Sequence, residues 1–306
     1  MKVFSYYAAD RVGLGAHTDR GAVDVAAAAS ASGVAVPTTV KELIHGGAEA
    51  LERLRQVVGA ADATMAEDSI RYAPAVPDPN KIICVGANYQ RHAREARIPL
   101  PEQPIYFAKF GNSLTGHRED IAFPAVTEQV DYEVELVAVV GQPAYRVDVS
   151  DALDYVFGYA TGNDLSARDL QKRTSQWIYG KALDGFAPLG PYVVTADEIP
   201  DPQALDLRCW VNGQLRQDST TKDMVFSVAD LVSDLSQVMT LEPGDVIYTG
   251  TPEGVILGMA EQTWLRPGDS VACEVSGLGR LENRLVAERS ARPAASPLEQ
   301  PVRTNR

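Results

Sequence analysis

Residues 131–140, DYEVELVAVV, place two carboxylates at the start of an otherwise apolar segment. The second half, from Leu136 to Val140, is apolar and β-prone, and this pattern predicts a strand buried on both faces. Glu133 and Glu135 enter the strand from its N-terminal end, and side chains two residues apart on a strand point to the same face. The sequence therefore predicts a core strand that directs two acids into one space.

The glutamate pair has two interpretations. It is either a polar strand end that reaches solvent or pairs with arginines, or a component of a divalent-metal site. Two ionised carboxylates ~4 Å apart repel by roughly 4 kcal/mol at an effective dielectric constant of ~20. A buried pair therefore shares a proton, meets positive charge or coordinates a cation. Ligands that are all oxygen favour Mg²⁺, Mn²⁺ or Ca²⁺ over zinc.

A third acid, Asp164, lies in the segment YATGNDLSARDLQ. It follows an apolar run and immediately precedes a stretch with helical character, so it is a candidate helix N-cap as well as a candidate third ligand. No cysteine or histidine lies near Asp164 or near the glutamate pair to offer a zinc site.

Composition narrows the class of protein. The chain has 306 residues, 45% of them hydrophobic, which is enough for a substantial core and a second small unit. A formal net charge of −13 argues against nucleic acid or an anionic membrane surface as the main partner. Three widely spaced cysteines without a CxxC motif favour a reducing compartment, and neither a signal peptide nor a membrane span is apparent. We expect a soluble, cytoplasmic protein.

The proline-rich stretch YAPAVPDPNK, residues 72–81, predicts an extended linker between two units. Before it come a short strand, MKVFSYYA, and a segment with helical apolar spacing that Gly46 and Gly47 interrupt. We therefore predict a small N-terminal α+β domain at residues 1–75.

Strand patterns dominate after the linker. Asn212-Gly213 is a strong hairpin signal, and Ser227 is a plausible N-cap of a helix that follows it. Long β segments with isolated helices predict an α+β fold in which a mixed sheet is rolled around a core, at residues 76–288. The last residues, 289–306, lack an apolar pattern and predict a mobile tail.

Four further side chains are candidates for chemistry. His92 and Glu95 share one helix face, where the carboxylate could orient the imidazole as a general base, although Glu95 could equally pair with a neighbouring arginine on a surface helix. Lys181 lies in an apolar, glycine-rich stretch and either extends to solvent or meets an anion. Thr251 lies in YTGTPEGV, which is either an ordinary turn or a carboxylate-binding loop; it lacks the ending of a P-loop.

The order of these motifs resembles the fumarylacetoacetate hydrolase superfamily. The segments that carry the resemblance run from about Lys81 to Glu288 and are, in order, VGANYQRHAREA, PIYFAKFGNSLTG, DYEVELVAVVG, GYATGNDLSARDLQ, KALDGFAPLGPYVVTADEI and MTLEPGDVIYTGTPEGV. Because CVGANY contains no acid, the chain is similar to the bacterial branch that uses three carboxylates. The resemblance implies the mixed β-roll and a homodimer.

The resemblance also implies roles for individual residues. Glu133, Glu135 and Asp164 match the metal ligands, His92 and Glu95 the pair that activates water, and Lys181 the lysine that faces the substrate. Thr251, and more weakly Arg168 and Gln171, match substrate-binding positions.

The expected activity is metal-dependent hydrolysis of a C–C bond in an acylpyruvate or a fumarylpyruvate-like 2-oxo acid. Oxaloacetate decarboxylation and isomerisation of a hydroxyhepta-dienedioate remain alternatives, as does a calcium-binding protein without catalysis. The partner is then a small anionic 2-oxo acid, and the ion is Mg²⁺, Mn²⁺ or Ca²⁺. The sequence does not decide whether residues 91–103 form a lid.

Overall fold

The computed structural model describes residues 1–9, 11–62 and 64–288, and these residues form two large sheets that pack against each other. The predicted tail, 289–306, lies outside the described residues. Strands occur, in chain order, as β1 (Lys2–Tyr7), β2 (Val12–Thr18), β3 (Gly21–Asp24), β4 (Ile82–Gly86), β5 (Ile105–Lys109), β6 (Leu114–Thr115), β7 (Asp120–Phe123), β8 (Val130–Asp131), β9 (Val134–Val140), β10 (Val156–Asn163), β11 (Ser166–Ala167), β12 (Ala187–Pro188), β13 (Val193–Thr195), β14 (Asp206–Val211), β15 (Gln214–Thr220), β16 (Val246–Tyr248), β17 (Ser270–Val275) and β18 (Gly279–Ala287). The α-helices are α1 (Val25–Ser32), α2 (Val40–Ala60), α3 (Gln90–Glu95), α4 (Arg168–Gln171), α5 (Ile178–Lys181) and α6 (Val228–Val238).

Both large sheets are mixed, as the sequence predicts. The nine-stranded sheet of the described residues has the order β3-β2-β1-β13-β10-β9-β16-β4-β5, and the five-stranded sheet has the order β15-β14-β17-β18-β7. In the first sheet β16 runs parallel to β4 but antiparallel to β9. In the second sheet β18 runs parallel to β7 and antiparallel to β17. The predicted α+β class with a rolled mixed sheet is confirmed.

Strand β9 is buried along its whole length, which confirms the expectation from its sequence. Leu136 and Ala138 belong to one core cluster, which includes residues of the five-stranded sheet. Val137 and Val139, on the other face, pack with a second cluster that includes residues of α1 and α2. Glu133 and Glu135 share the face of Val137 and Val139, so they lie where that apolar layer ends.

Local signals in the sequence predict several elements correctly. Helix α2 has non-helical backbone angles at Gly47 (φ 60°, ψ −150°), where the glycine pair interrupts the pattern. Asn212 (φ 51°) and Gly213 (φ 79°) form the turn between β14 and β15. These two positive φ angles are those of a type I′ hairpin turn, which favours Asn-Gly. Ser227 caps α6 in a capping box with Asp230.

The N-terminal segment contributes to the same sheet as the rest of the chain. Strand β1 pairs with β13, with Val3 opposite Val193. The proline-rich stretch is extended, yet its first half is buried, and the N–H of Ala75 donates to the carbonyl of Leu189 (3.0 Å). The division at residues 75 and 76 therefore stays a prediction. Among the described residues, no helix combines the length and apolar content needed to cross a bilayer.

Candidate metal and substrate site

The pairing of β9 with β10 brings the three predicted ligands together. Asn163, the last residue of β10, lies opposite Val134, and the N–H of Asp164 donates to the carbonyl of Glu133 (2.9 Å). Ligand oxygens of Glu133, Glu135 and Asp164 lie within 4.8 Å of one another, and all three residues are buried. Asp164 does not cap a helix, because α4 begins later, at Arg168, with Ala167 at its N-cap. The N-cap interpretation of Asp164 is therefore wrong.

Three cations surround the acids. Lys181 Nζ lies 2.6 Å from Glu133 Oε2 and 2.7 Å from Asp164 Oδ2, and Arg168 contacts Glu133 Oε1 from the other side (2.5 Å). Burial by itself would raise the pKa of Glu133, but Arg168 and Lys181 hold it below the usual range. Burial would lower the pKa of Lys181, but Asp164 and Glu133 raise it. Both groups are therefore charged at neutral pH.

Lys109 is the third cation, and it is fully buried behind Asp164. Its Nζ lies 2.5 Å from Asp164 Oδ1 and donates hydrogen bonds to the carbonyls of Leu165 and Phe186. Lys109 therefore forms a buried ion pair with Asp164 Oδ1.

Glu135 differs from the other two acids because no cation of the described residues pairs with it. Its one hydrogen bond comes from the N–H of Gly250 (2.7 Å). Burial raises the pKa of Glu135 well above its usual range, and the charges of Asp164 and Glu133 raise it further. Gly250 has φ +99° and would place a Cβ 2.8 Å from Asn88, so glycine is required where the backbone donates to Glu135.

The residues present fit a divalent ion. With Asp131, the acids number four against three cations, Lys109, Arg168 and Lys181, so the cluster has a formal charge of −1. Glu135, which accepts only the N–H of Gly250 among the described residues, has lone pairs available, and the donor set is all oxygen. Such a set suits Mg²⁺, Mn²⁺ or Ca²⁺. An added cation would offset the burial and the repulsion from Asp164 and Glu133 that together raise the pKa of Glu135.

His92 and Glu95 lie on α3 as predicted, one turn apart. His92 is buried, and its Nδ1 is 3.7 Å from Glu95 Oε2, which is beyond hydrogen-bond distance. Glu95 is held by the N–H of Gly254, in the loop that also contains Thr251. The surface-helix interpretation is wrong for this pair, since Glu95 binds the loop and forms no ion pair with an arginine of the described residues.

The three predicted substrate-binding residues differ in how much hydrogen-bonding capacity they retain. Arg168 donates to Asp131, Glu133 and Gln171, so most of its guanidinium is engaged with the protein. The amide nitrogen of Gln171 makes no hydrogen bond among the residues that the structure describes. Thr251 donates to the carbonyl of Val134 (3.0 Å) and accepts from Gln217 (2.9 Å), which leaves one lone pair.

One cavity of about 570 Å³ joins all of these groups. All nine residues predicted from the sequence line it: His92, Glu95, Glu133, Glu135, Asp164, Arg168, Gln171, Lys181 and Thr251. Apolar side chains form another section of the wall, and Phe107 and Trp177 pack edge to face with ring centroids 5.3 Å apart. Arg97 and Ile98, from the segment 91–103 that the sequence leaves undecided as a lid, also border the cavity.

Two residues of the site were not predicted from the sequence, Asp131 and Lys109. Asp131 is fully buried, binds Arg168, and accepts the N–H groups of Ile256 and Leu257. The sequence pattern that could have identified Asp131 is the alternation in DYEVE, which puts Asp131 on the same face as Glu133 and Glu135. The sequence pattern that could have identified Lys109 is its position directly after the apolar run IYFA, residues 105–108.

Sequence comparison identifies related proteins. The family model described as "Fumarylacetoacetate (FAA) hydrolase C-terminal" matches residues 81–286. A Dictyostelium discoideum protein named fumarylacetoacetate hydrolase domain-containing protein 2 homolog is 47% identical over 219 residues, 68% of this chain and 72% of that protein. Human oxaloacetate tautomerase FAHD2A, named as mitochondrial, is 38% identical over 253 residues, 82% of this chain and 81% of that protein.

Solved structures show the same fold. A fumarylacetoacetate hydrolase from Exiguobacterium antarcticum has a TM-score of 0.82 and 35% identity, over 94% of this chain and 100% of that chain. A 2-hydroxyhepta-2,4-diene-1,7-dioate isomerase from Mycobacterium marinum has a TM-score of 0.69 and 31% identity, over 94% and 98%. A fumarylpyruvate hydrolase from Pseudomonas aeruginosa, solved with Mn²⁺ and pyruvate, has a TM-score of 0.64 and 34% identity, over 73% and 95%.

Proposed function

Because this chain belongs to the fumarylacetoacetate hydrolase family and is an enzyme, we propose that it hydrolyses a C–C bond of a small 2-oxo acid with the help of a divalent ion. Glu133, Glu135 and Asp164 would hold the ion. The observation that carries the proposal is that these acids, the His92–Glu95 pair and Lys181 line one cavity, with Glu135 lacking a cationic partner among the described residues. A calcium-binding protein without catalysis is not supported, since the relatives and solved structures that are named by an activity are enzymes.

The ion, when bound, would act as a Lewis acid toward the carboxylate and the adjacent 2-oxo oxygen of the substrate. The side chains of the protein orient the substrate and stabilise the charge that develops on it. The amide of Gln171 and the free lone pair of Thr251 can orient the substrate at the polar side of the wall. Lys181 keeps the two ligands Glu133 and Asp164 in place and can turn one N–H toward developing negative charge.

In hydrolysis His92 accepts a proton from water, and the water oxygen attacks the carbonyl carbon farther from the carboxylate. Lys181 stabilises the resulting oxyanion. The bond between that carbon and C3 then breaks, its electron pair passes into the pyruvate portion, and C3 takes up a proton. The products are a carboxylic acid and pyruvate or a pyruvate derivative. Glu95, whose carboxylate accepts the N–H of Gly254 and lies 3.7 Å from His92 Nδ1, would stabilise the imidazolium by its charge.

A second candidate is proton transfer on oxaloacetate without attack by water. The names of the mammalian relatives favour it, since proteins 38–39% identical over 253 residues are called oxaloacetate tautomerases. Decarboxylation of oxaloacetate and isomerisation of a hydroxyhepta-dienedioate need the same stabilisation of negative charge on the 2-oxo acid. The three reactions differ from hydrolysis in that none of them needs water as a nucleophile.

A substrate panel with Mg²⁺ or Mn²⁺ tests the proposal. We expect acetylpyruvate or fumarylpyruvate to release pyruvate, detected by mass spectrometry, and Glu135→Ala to abolish this. His92→Ala should lower kcat roughly a hundredfold or more, while His45→Ala, an exposed histidine on α2, should leave it unchanged. If His92→Ala retains full turnover while Glu135→Ala has none, hydrolysis is wrong and oxaloacetate chemistry takes its place.

Three properties go with this proposal: the identity of the ion, the oligomeric state and the location. We expect Mg²⁺ or Mn²⁺ in place of Ca²⁺ during catalysis, since stabilising the transition state calls for a compact, strongly polarising ion. A homodimer would give twice the chain mass of 33.0 kDa in light scattering, and a monomer mass would contradict it. The cytoplasmic location remains an expectation, and fractionation of cells would test it.

A further inference from the structure

Gln217 is a polar side chain in the apolar layer between the two large sheets. It lies on β15, opposite Cys209 of β14, and is only 1% exposed. Cys209 belongs to the core cluster that also contains Leu136 of β9. A buried amide is costly unless protein groups satisfy its donors and its acceptor. An apolar side chain is expected at such a position, so the partners of Gln217 indicate why an amide is present.

The hydrogen bonds of Gln217 join β9 to the segment 249–254, which we call the threonine loop. Its Oε1 accepts the N–H of Val134 (3.0 Å), the residue between the two glutamates of the acidic cluster. Its Nε2 donates to Thr251 Oγ1 (2.9 Å) and to the carbonyl of Pro252 (3.0 Å). These partners fix the orientation of the amide, because a main-chain N–H can only donate and a carbonyl can only accept.

Three residues form a closed ring of hydrogen bonds. Since Thr251 Oγ1 accepts from Gln217, its own hydrogen is directed to the carbonyl of Val134, to which it donates (3.0 Å). Each of the three residues therefore donates once and accepts once within the ring. The ring leaves Thr251 two groups for a ligand. They are one lone pair of the hydroxyl and the main-chain N–H, which has no acceptor among the residues that the structure describes.

The threonine loop depends on β15 for its position. In residues 251–253, no main-chain N–H donates a hydrogen bond within the described part of the chain. Gln217 also contacts the carbonyl of Glu253 (3.4 Å), and Ser219, the other buried residue of β15, donates to Glu253 Oε2 (3.2 Å). Both buried side chains of this strand therefore bind the threonine loop.

We propose that Gln217 is a positioning residue that holds Thr251 beside the acidic cluster and thereby sets the affinity for the carboxylate of the 2-oxo acid. This inference rests on the proposed function, which places a 2-oxo acid in the cavity. Thr251 lines that cavity and Gln217 does not, so Gln217 acts through Thr251. The main-chain N–H of Thr251 is a donor that suits a carboxylate oxygen.

Calorimetric binding of 2-oxobutanoate in the presence of Mn²⁺ tests the inference. This acid has a carboxylate and a ketone but no hydrogen-bond donor, so the lone pair of the Thr251 hydroxyl cannot contribute to binding. Gln217→Met preserves the approximate volume of the side chain and breaks the ring. We expect it to weaken binding roughly tenfold, as for the loss of one hydrogen bond to a charged group. Thr251→Val breaks the same ring and should weaken binding by the same factor.

A double variant shows whether the two residues act together. Because the ring can be broken only once, Gln217→Met combined with Thr251→Val should weaken 2-oxobutanoate binding roughly tenfold and not roughly a hundredfold. Mn²⁺ alone should bind to Gln217→Met as it binds to the wild type, since Gln217 contacts no carboxylate of the acidic cluster among the described residues. Losses that multiply, or an equal loss of Mn²⁺ affinity, overturn the inference and leave the proposed function intact.

Asn283→Leu is the matched control for a loss of stability. Asn283 is a buried amide on β18 of the same five-stranded sheet, and it donates to the carbonyls of Gly116 and Glu119 between β6 and β7. Asn283→Leu and Gln217→Met should both lower the melting temperature, but only Gln217→Met should lose affinity for 2-oxobutanoate. An equal loss of affinity in Asn283→Leu would show a general effect of stability and overturn the inference.

A second variant keeps the test decisive if Gln217→Met folds poorly. Gln217→Asn retains an amide on a side chain that is one methylene shorter, so it should also break the ring and weaken 2-oxobutanoate binding. Wild-type affinity in a folded Gln217 variant overturns the inference. If the wild-type protein with Mn²⁺ does not bind 2-oxobutanoate at all, the proposed function fails, and this inference fails with it.

Discussion

Glu135 provides the most direct test of metal binding, because it is the buried acid without a cationic partner in the described portion of the chain. Replacing it with glutamine keeps the shape and removes a charge that is costly to bury unpaired. We expect Glu135→Gln to be at least as stable as the wild type without metal. We also expect it to lose the stabilisation by Mn²⁺, which for the wild type is about 2.7 kcal/mol at a hundredfold excess over Kd.

Thermal unfolding with EDTA and with added Mn²⁺ measures both effects of Glu135→Gln. Glu128→Gln, at an exposed glutamate, is the matched control and should respond to Mn²⁺ like the wild type. A large loss of stability in EDTA would contradict the reasoning, because it would mean that the charged form of Glu135 stabilises the fold without metal.

Lys109 should contribute to stability and site geometry without touching the substrate. Its buried Nζ holds Asp164 and two backbone carbonyls, so Lys109→Met would leave Lys181 as the one cation paired with Asp164 among the described residues and would leave both carbonyls without this donor. We expect a loss of about 3–5 kcal/mol in the free energy of unfolding, measured by denaturant titration. Lys222→Met, at an exposed lysine, should cost little. Equal midpoints for the two variants would show that the Lys109 contacts are dispensable.

Residue patterns and the family resemblance together identified nine residues that line the cavity, but not the side chains that hold them in place. The Glu-x-Glu alternation and the spacing of His92 and Glu95 are local, so they could be read from the sequence. Lys109 contacts groups 56 and 77 positions away, and the sequence gives no register between β5 and those segments. Arg168 shows the same limit, since its bonds to Asp131 and Glu133 make it an internal counter-ion as well as a candidate ligand contact.

Caps and turns were predictable element by element because their signals are short. The capping box of α6 provides a test: the Ser227 hydroxyl accepts the N–H of Asp230, and the Asp230 carboxylate accepts the N–H of Ser227. Ser227→Ala should lower the free energy of unfolding by about 1 kcal/mol, and Ser227→Gly by only a few tenths. Denaturant midpoints that rank alanine above glycine would contradict the role assigned to the cap.

The residues at which strands end were less predictable than the helix caps, because they depend on pairing with strands elsewhere in the sequence. The sequence allowed Asp164 to cap a helix, but β10 continues to Asn163 opposite Val134 and directs the next residue into the cavity. Val134, which pairs with Asn163, lies 29 positions earlier in the chain (163 minus 134), so a local pattern contains no information about this pairing.

The molecule as a whole should unfold in one step even though a linker divides its sequence. Strand β1 pairs with β13, and one core cluster contains both Leu54 of α2 and Val137 of β9. All three tryptophans of the chain, Trp177, Trp210 and Trp264, lie after the linker, so tryptophan fluorescence reports on that unit alone. A substitution in α2 can therefore reveal whether the two units are coupled.

Leu54 is fully buried in α2, and Leu54→Ala should cost about 2–5 kcal/mol. If the shared sheet and core make one cooperative unit, the fluorescence midpoint and the circular dichroism midpoint should fall together and by the same amount. Arg53→Ala, at an exposed neighbouring position, should shift neither. If Leu54→Ala lowers the circular dichroism midpoint but leaves the fluorescence midpoint unchanged, residues 1–75 fold independently. The site would then depend on the second unit alone, although an apolar layer containing residues of α2 packs on the same face of β9 as Glu135.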